Sequence, residues 1–290
     1  MNSQLSERIR LKSPEFSKGQ RAIARYIEEH ADKVAFMTAS RLGKTVGVSE
    51  STVVRFATEI GYSGYPALQQ AMQEMIRSKM TSVQRLEMTS ANISPTRLLD
   101  AVLEQDIDIL KRTKENMDQE AFYRAADALT KARRVYVLGA GSSLALATFL
   151  AHYLRLVFGT VQLIEAVSEA SILQQIVRVG EGDAIIAISF PRYSKKAVKA
   201  LQYASDKGAA TVAVTDSPLS PLAQYAAHLL LARSDMVSFV DSLVGPLSVI
   251  NALIVTTAIR KKAQVTRVLE RIERIWDEYG VYEKVEERNS

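Results

Sequence analysis

The stretch SRLGKTVGVSESTVVRFATEIGYSGYPAL, residues 40–68, holds two short helical patterns hinged on one glycine. Leu42 and Val46 give the first helix, predicted over 39–46, an apolar side to bury. Gly47 stands where a left-handed residue ends a helix. Val48 fills the core between the helices. Ser49 is placed to cap a second helix predicted over 50–60, which Gly61 ends. Val53, Val54, Phe56 and Ile60 form the apolar face of that helix, while Ser51, Thr52 and Arg55 lie largely on its other side. Two helices joined in this way make a helix-turn-helix, whose second helix enters a DNA major groove N-terminal end first.

Position assigns roles within that motif. Ser49, Glu50, Ser51 and Thr52 occupy the leading end, where short polar side chains reach base edges and free backbone N–H groups favour phosphate. Arg55, one turn on, pairs with phosphate or guanine. Lys44 on the first helix, with Ser63 or Tyr65 after the second, holds the DNA backbone. The competing reading is a helical hairpin that serves only for packing or dimerisation. The completeness of the motif favours DNA, and charge is a weak pointer the same way: residues 1–79 carry 12 basic and 8 acidic side chains, a net of +4, whereas the remaining 211 residues are close to neutral at +1. The rest of 1–79 also reads as helical. Ser17 and Gln20 are spaced as a capping box ahead of Ile23, Tyr26 and Ile27, and a further helix is predicted over 66–77.

The segment resembles the N-terminal domain of the RpiR/MurR family of bacterial transcriptional regulators. The family pattern V-S-x-x-T-V-x-R-F-x-x-x-[IL]-G-[FY]-x-G-[FY] is matched by Val48, Ser49, Thr52, Val53, Arg55, Phe56, Ile60, Gly61, Tyr62, Gly64 and Tyr65.

Working outward, residues 80–96 gather Ser, Thr and Asn, lose apolar periodicity and close on Pro95, which marks a linker between a domain at 1–79 and another at 97–290. Helices are predicted over 97–116 and 119–131. Short apolar runs then alternate with helices: VYVLG (135–139), VQLIE (161–165), DAIIAISF (183–190), ATVAVTD (210–216) and HLLLAR (228–233). Continuously apolar runs fit strands covered on both faces, and strand–helix repetition fits a parallel sheet with right-handed crossovers. Residues 239–278 read as mainly helix, and the tail VYEKVEERNS as polar and frayed.

Two turns in this half carry hydroxyls. Gly139, Ala140, Gly141, Ser142 and Ser143 follow the first strand and open a helix, an arrangement that lets the backbone approach an anion. A dinucleotide fold would want a small residue at Leu144, so NAD is the lesser reading, with Glu165 as its ribose acid. The third strand ends in Ser189, Phe190, Pro191, Arg192, Tyr193 and Ser194. Hydroxyls of Ser189, Tyr193 and Ser194, the forked cation of Arg192 and two helix N-termini facing one crevice suit a small phosphorylated polyol. Read singly, the same serines are helix caps and turn residues.

This half looks like a SIS (sugar isomerase) domain, which follows the helix-turn-helix in the RpiR/MurR family. The resemblance implies a doubly wound α/β domain with a five-stranded parallel sheet, a phosphosugar effector at Gly141, Ser142, Ser143, Ser189, Arg192, Tyr193 and Ser194, and a homodimer or higher homo-oligomer. Related enzymes carry S-x-S-G-x-[ST] at the third strand, whereas Ser189 to Ser194 follow the regulators' S-x-x-R-Y-S form. The alternative, a phosphosugar isomerase with an accessory helical domain, needs a positioned base. Glu165, Glu169 and His152 are candidates by position, but none is marked as a committed base, so no catalytic residue is assigned.

Composition narrows the remaining classes. The chain has no cysteine, which removes disulfides, thiolate metal sites and Cys nucleophiles and fits a cytoplasmic protein. His30, His152 and His228 are too scattered for a multi-histidine metal site, and neither metal nor cofactor is expected. No secretory signal precedes the first helix. Residues 242–259 are uncharged but contain Pro246, Ser248 and Asn251, so they read as a buried helix, not a membrane span. The expected partners are operator DNA, a phosphorylated sugar and a second copy of the chain.

Overall fold

The structure, a computed structural model, describes residues 4–79, 81–235 and 238–282 of the 290-residue chain; residues 283–290 of the tail lie outside the described residues. The chain divides into two compact units, one ending at Thr89 and the other starting at Ser90.

The first unit is helical: α1 (Gln4–Lys12), α2 (Lys18–Val34), α3 (Ala39–Val46), α4 (Glu50–Glu59) and α5 (Tyr65–Lys79). Local chemistry sets the starts. Ser17 and Gln20 form the reciprocal capping box at α2, Thr38 caps α3 and Ser49 caps α4. One apolar core joins these helices, with Phe16 and Phe56 in ring contact at 5.3 Å between centroids. Tyr65 belongs to that core. It is buried, its hydroxyl donates to the Met37 carbonyl at 2.8 Å, and burial pushes its pKa up to about 12. It therefore stands inside the fold and not at a DNA backbone. Residues 80–96, read above as a linker, hold a further helix, α6 (Ser82–Asn92), which spans the boundary between the units.

The second unit opens with α7 (Leu98–Asn116) and α8 (Gln119–Lys131), then alternates strand and helix: β1 (Val135–Gly139), α9 (Ser143–Val157), β2 (Val161–Ile164), α10 (Glu169–Gln175), β3 (Ala184–Ile188), α11 (Lys195–Asp206), β4 (Ala210–Thr215) and β5 (His228–Leu231). Two helices follow, α12 (Val244–Arg260) and α13 (Lys262–Glu278). The five strands are all parallel in the order β2-β1-β3-β4-β5. Alternate side chains of each strand enter separate cores. Val137, Ile186 and Val212 face α8, α9 and α12, while Leu138, Ile185 and Ala213 face α10 and α11. Apolar residues on both faces explain why these strands read as unbroken apolar runs. The uncharged 242–259 stretch forms most of α12, with Val249, Ile250 and Leu253 buried; among the described residues no helix is long and apolar enough to cross a membrane.

Strand order fixes where a ligand would sit. The chain leaves β1 for β2 on one side and returns to β3 on the other, so the order reverses between β1 and β3. Crevices in such sheets open beyond the carboxyl ends at that reversal. Gly139 pairs in register with Ile188, so the turns after β1 and β3 begin side by side.

Candidate functional site

In the first unit the turn between α3 and α4 is built from two glycines. Gly47 has φ 77°, the left-handed cap, and the Val48 N–H donates to the Gly43 carbonyl at 2.9 Å. A Cβ on Gly43 would lie 2.8 Å from the Val48 carbonyl oxygen, so the turn closes directly onto α3. Ser49 Oγ accepts the Thr52 N–H at 3.2 Å and lies 2.8 Å from the Thr52 hydroxyl. Val53, Phe56 and Ala57 are buried. Lys44, Ser49, Glu50, Ser51 and Arg55 are exposed, and Thr52 is half-buried. Arg55 Nε donates to the Ser51 carbonyl at 3.3 Å, which lays the guanidinium along the open face of α4. Val54 departs from expectation. It is 39% exposed and shares that open face, because a helix anchored through Val53, Phe56 and Ala57 turns the next position outward.

In the second unit a cavity of about 830 Å³ opens beyond β1 and β2. Gly141, Thr148, Glu165, Ser194, Lys195 and Lys196 line it, and Leu144, Leu163 and Ile164 supply an apolar wall. The turns after β1 and β3 thus share one cavity, the first through Ala140 and Gly141 and the second through Ser194. Gly141 has φ 62°, and Ser194 caps α11 by accepting the Ala197 N–H at 3.4 Å. Lys195 and Lys196 begin α11, where the helix dipole disfavours cations and favours anions. Lys196 Nζ donates to the carbonyls of Ala166 (2.9 Å) and Val167 (2.7 Å), tying the loop after β2 to the helix. Gln175 holds Glu165 by both backbone groups: its Oε1 accepts the Glu165 N–H at 2.9 Å and its Nε2 donates to the carbonyl at 3.0 Å.

Comparison with known proteins agrees with both halves. The profile of the helix-turn-helix domain, rpiR family, matches residues 3–79, and that of the SIS domain matches residues 128–256. The sugar isomerase domain of an RpiR transcription factor from Sphaerobacter thermophilus is 33% identical, with a TM-score of 0.58, and the match covers 61% of this chain and 99% of that one. The chain belongs to the RpiR family. Over 272 residues it is 24% identical to the HTH-type transcriptional regulator HexR of Pseudomonas aeruginosa, covering 92% of this chain and 94% of the relative. The Vibrio vulnificus NanR protein, solved in complex with ManNAc-6P, shares the fold at 24% identity and a TM-score of 0.57, covering 93% of this chain and 97% of that one. This RpiR-family chain is a helix-turn-helix transcriptional regulator, and a DNA-binding one.

The other expected site residues of the regulator are placed less uniformly. Ser142 Oγ donates to the Asp241 carboxylate at 2.8 Å. Ser143 and Ser189 are buried, and Ser189 Oγ accepts the Ser194 N–H at 3.0 Å, so this hydroxyl shapes the turn from within. Tyr193 donates to Asp216 Oδ1 at 2.8 Å, and burial of Asp216 raises its pKa despite that bond. Arg192 is exposed with φ 66°, a left-handed conformation uncommon for any residue but glycine, and has no ion pair among the described residues. Of the positions weighed as a base, Glu165 and Glu169 both line the cavity, Glu169 also pairing with Lys199 at 2.6 Å, and His152 is exposed on α9 against Tyr153. Sequence reasoning passed over Lys195 and Lys196. Their signal was the placement of two lysines directly after the Ser194 cap, in the turn where the helix dipole disfavours cations.

Proposed function

We propose that this regulator reads operator DNA with α4 and is controlled by a phosphorylated sugar held in the cleft beyond β1 and β2, against the start of α11. In this reading residues 1–79 form the reader, 80–96 the connection and 97–290 the effector unit, and the chain acts as a homodimer on two-fold related half-sites. The observation that carries the effector is the pair Lys195 and Lys196 at the start of α11, in the same cavity as Gly141 and Ser194. A phosphoryl group there meets two cations and a helix N-terminus, and the apolar wall takes the carbon face of the sugar. NanR's complex with ManNAc-6P supports the same class of ligand. Control requires that the effector bind the DNA-competent and DNA-incompetent arrangements with different affinity.

A thermal-shift screen of the whole chain against sugar phosphates and their unphosphorylated counterparts tests the effector. A ligand at 100 times its Kd stabilises the fold by about 2.7 kcal/mol, so the phosphorylated members are expected to raise Tm and the free sugars to leave it unchanged. With an effector in hand, Lys195→Glu is expected to weaken binding at least about tenfold, about 1.4 kcal/mol, while ligand-free DNA affinity holds. Equal affinity of the variant by calorimetry would remove the phosphoryl group from this end of the cleft.

On the DNA side, Arg55→Ala is expected to weaken operator binding by about 1–3 kcal/mol if the side chain reads a guanine. If it only holds phosphate, the loss is uniform across sequences and the salt slope falls by about one. Fluorescence anisotropy at several salt concentrations separates the two, and a folded variant with wild-type affinity at every salt would take Arg55 out of the interface.

A further inference from the structure

α7 carries an apolar stripe that its own unit leaves uncovered. One face of the helix is committed. Ile109 and Thr113 are buried, Thr113 Oγ1 accepts the Arg233 N–H at 3.1 Å, and Asp106 accepts the Ser242 hydroxyl at 2.6 Å. Further round the helix stand Leu99 (71% exposed), Leu103 (51%), Ile107 (53%) and Leu110 (37%), at spacings of four, four and three that keep them in one line. A contiguous apolar line of this length on a soluble unit marks an interaction surface.

Charge identifies the occupant. The acids beside the stripe, Asp100 and Glu104, lie in the first half of α7, and Lys111 and Lys114 lie in the second. Asp108 and Arg112 satisfy each other within the helix at 3.0 Å. None of Asp100, Glu104, Lys111 and Lys114 has an ion pair among the described residues. Glu115 adds one acid to the second half, which with Asp108, Lys111, Arg112 and Lys114 stays net basic, and a helix with an acidic first half and a net basic second half is complementary to itself when reversed. A two-fold axis across its middle sets each acidic half against the other's basic half and lays leucine on leucine, whereas a parallel pairing sets acid on acid.

We propose that α7 pairs antiparallel with α7 of a second copy of this chain, with Leu99, Leu103, Ile107 and Leu110 at the centre and Asp100 and Glu104 facing the partner's Lys111 and Lys114. The inference rests on the homodimer put forward above and says where that dimer closes. It gives the interface an apolar centre and a charged rim that specifies orientation.

The test uses the full chain and sedimentation equilibrium, with circular dichroism as the check on folding. The wild type is expected at twice its 32.1 kDa chain mass. Ile107→Asp, a change at an exposed position, is expected to raise the dimer dissociation constant at least about tenfold, a difference of about 1.4 kcal/mol. The double variants Asp100→Lys/Glu104→Lys and Lys111→Glu/Lys114→Glu are each expected to dissociate alone and to form a heterodimer when mixed. A monomeric wild type overturns the homodimer and this inference together. A dimeric wild type that Ile107→Asp and both charge reversals leave intact overturns the α7 interface alone. Weakened variants that fail to recover on mixing overturn the antiparallel arrangement.

Discussion

Asp183→Ala is expected to lose about 3 kcal/mol of folding stability, read as a fall in the urea midpoint at unchanged slope. Asp183 precedes β3 at the edge of the sheet away from the cleft. Its carboxylate is closed to solvent by Arg134, whose Nη2 donates at 2.7 Å, and by Arg133 at 3.2 Å, and it also accepts the Gly180 N–H at 3.3 Å. Burial by itself would raise the pKa of Asp183, but the hydrogen bonds from Arg134 and then Arg133 outweigh it and hold the carboxyl below its usual range. Truncation strands two guanidinium groups and a backbone N–H at once. The figure sits at the low end for buried pairs because Arg133 is largely exposed and keeps its water. A depressed folded pKa adds stability that is complete above the unfolded value near 4 and is lost as pH falls through the folded value. The gap between wild type and variant should therefore be full at pH 7 and close in acid. A gap that is constant down to pH 2 would mean that lost packing, and not the charge, causes the effect. Because the site lies at the opposite strand ends, effector affinity of the folded variant should be unchanged.

The strand pattern was legible because a parallel sheet buried on both faces leaves continuous apolar runs, and the helix starts at Ser17, Ser49 and Ser194 because a hydroxyl stands just ahead of each helical pattern, whereas the caps Thr38 and Ser168 went unread. α6 escaped notice although its own cap was written in the chain. Thr81 and Gln84 exchange hydrogen bonds as a capping box, Thr81 N–H to Gln84 Oε1 at 2.9 Å and Gln84 N–H to Thr81 Oγ1 at 3.2 Å, but the Ser, Thr and Asn around them read as linker. Val54 was misassigned because adjacent apolar residues sit 100° apart on a helix and only the fold decides which one is buried. At the cleft the hydroxyls drew attention by type; Ser189 shapes the turn, Ser194 both caps α11 and lines the cavity, and the cations that line it, Lys195 and Lys196, stand with the carboxylates of Glu165 and Glu169. Residue type marks what can bind an anion; helix polarity marks where one is wanted.

Gly139→Ala is expected to cost more than about 3 kcal/mol and to abolish effector binding, because this glycine closes the strand onto the helix that forms the cleft. A Cβ at residue 139 would lie 2.3 Å from the Ser143 carbonyl oxygen and 2.9 Å from the Ala147 Cβ. The first contact is with backbone in the opening turn of α9, so no rotamer change relieves it; either β1 or the start of α9 must move. Moving α9 carries Gly141 and Ser142 with it and misaligns the turn against Ser194 and Lys195 across the cavity. Gly141→Ala separates this effect from glycine's freedom of backbone conformation. Nothing lies within 4 Å of a Cβ there, so only the φ of 62° opposes the change, a penalty of about 1–2 kcal/mol. Urea denaturation is expected to rank wild type above Gly141→Ala and Gly141→Ala well above Gly139→Ala. Titration with a sugar phosphate found in the thermal-shift screen should show binding kept or weakened at Gly141→Ala and lost at Gly139→Ala. Gly139→Ala with a wild-type midpoint would show that β1 and α9 stand further apart than 2.3 Å implies, and the cleft geometry built on their contact would fall with it.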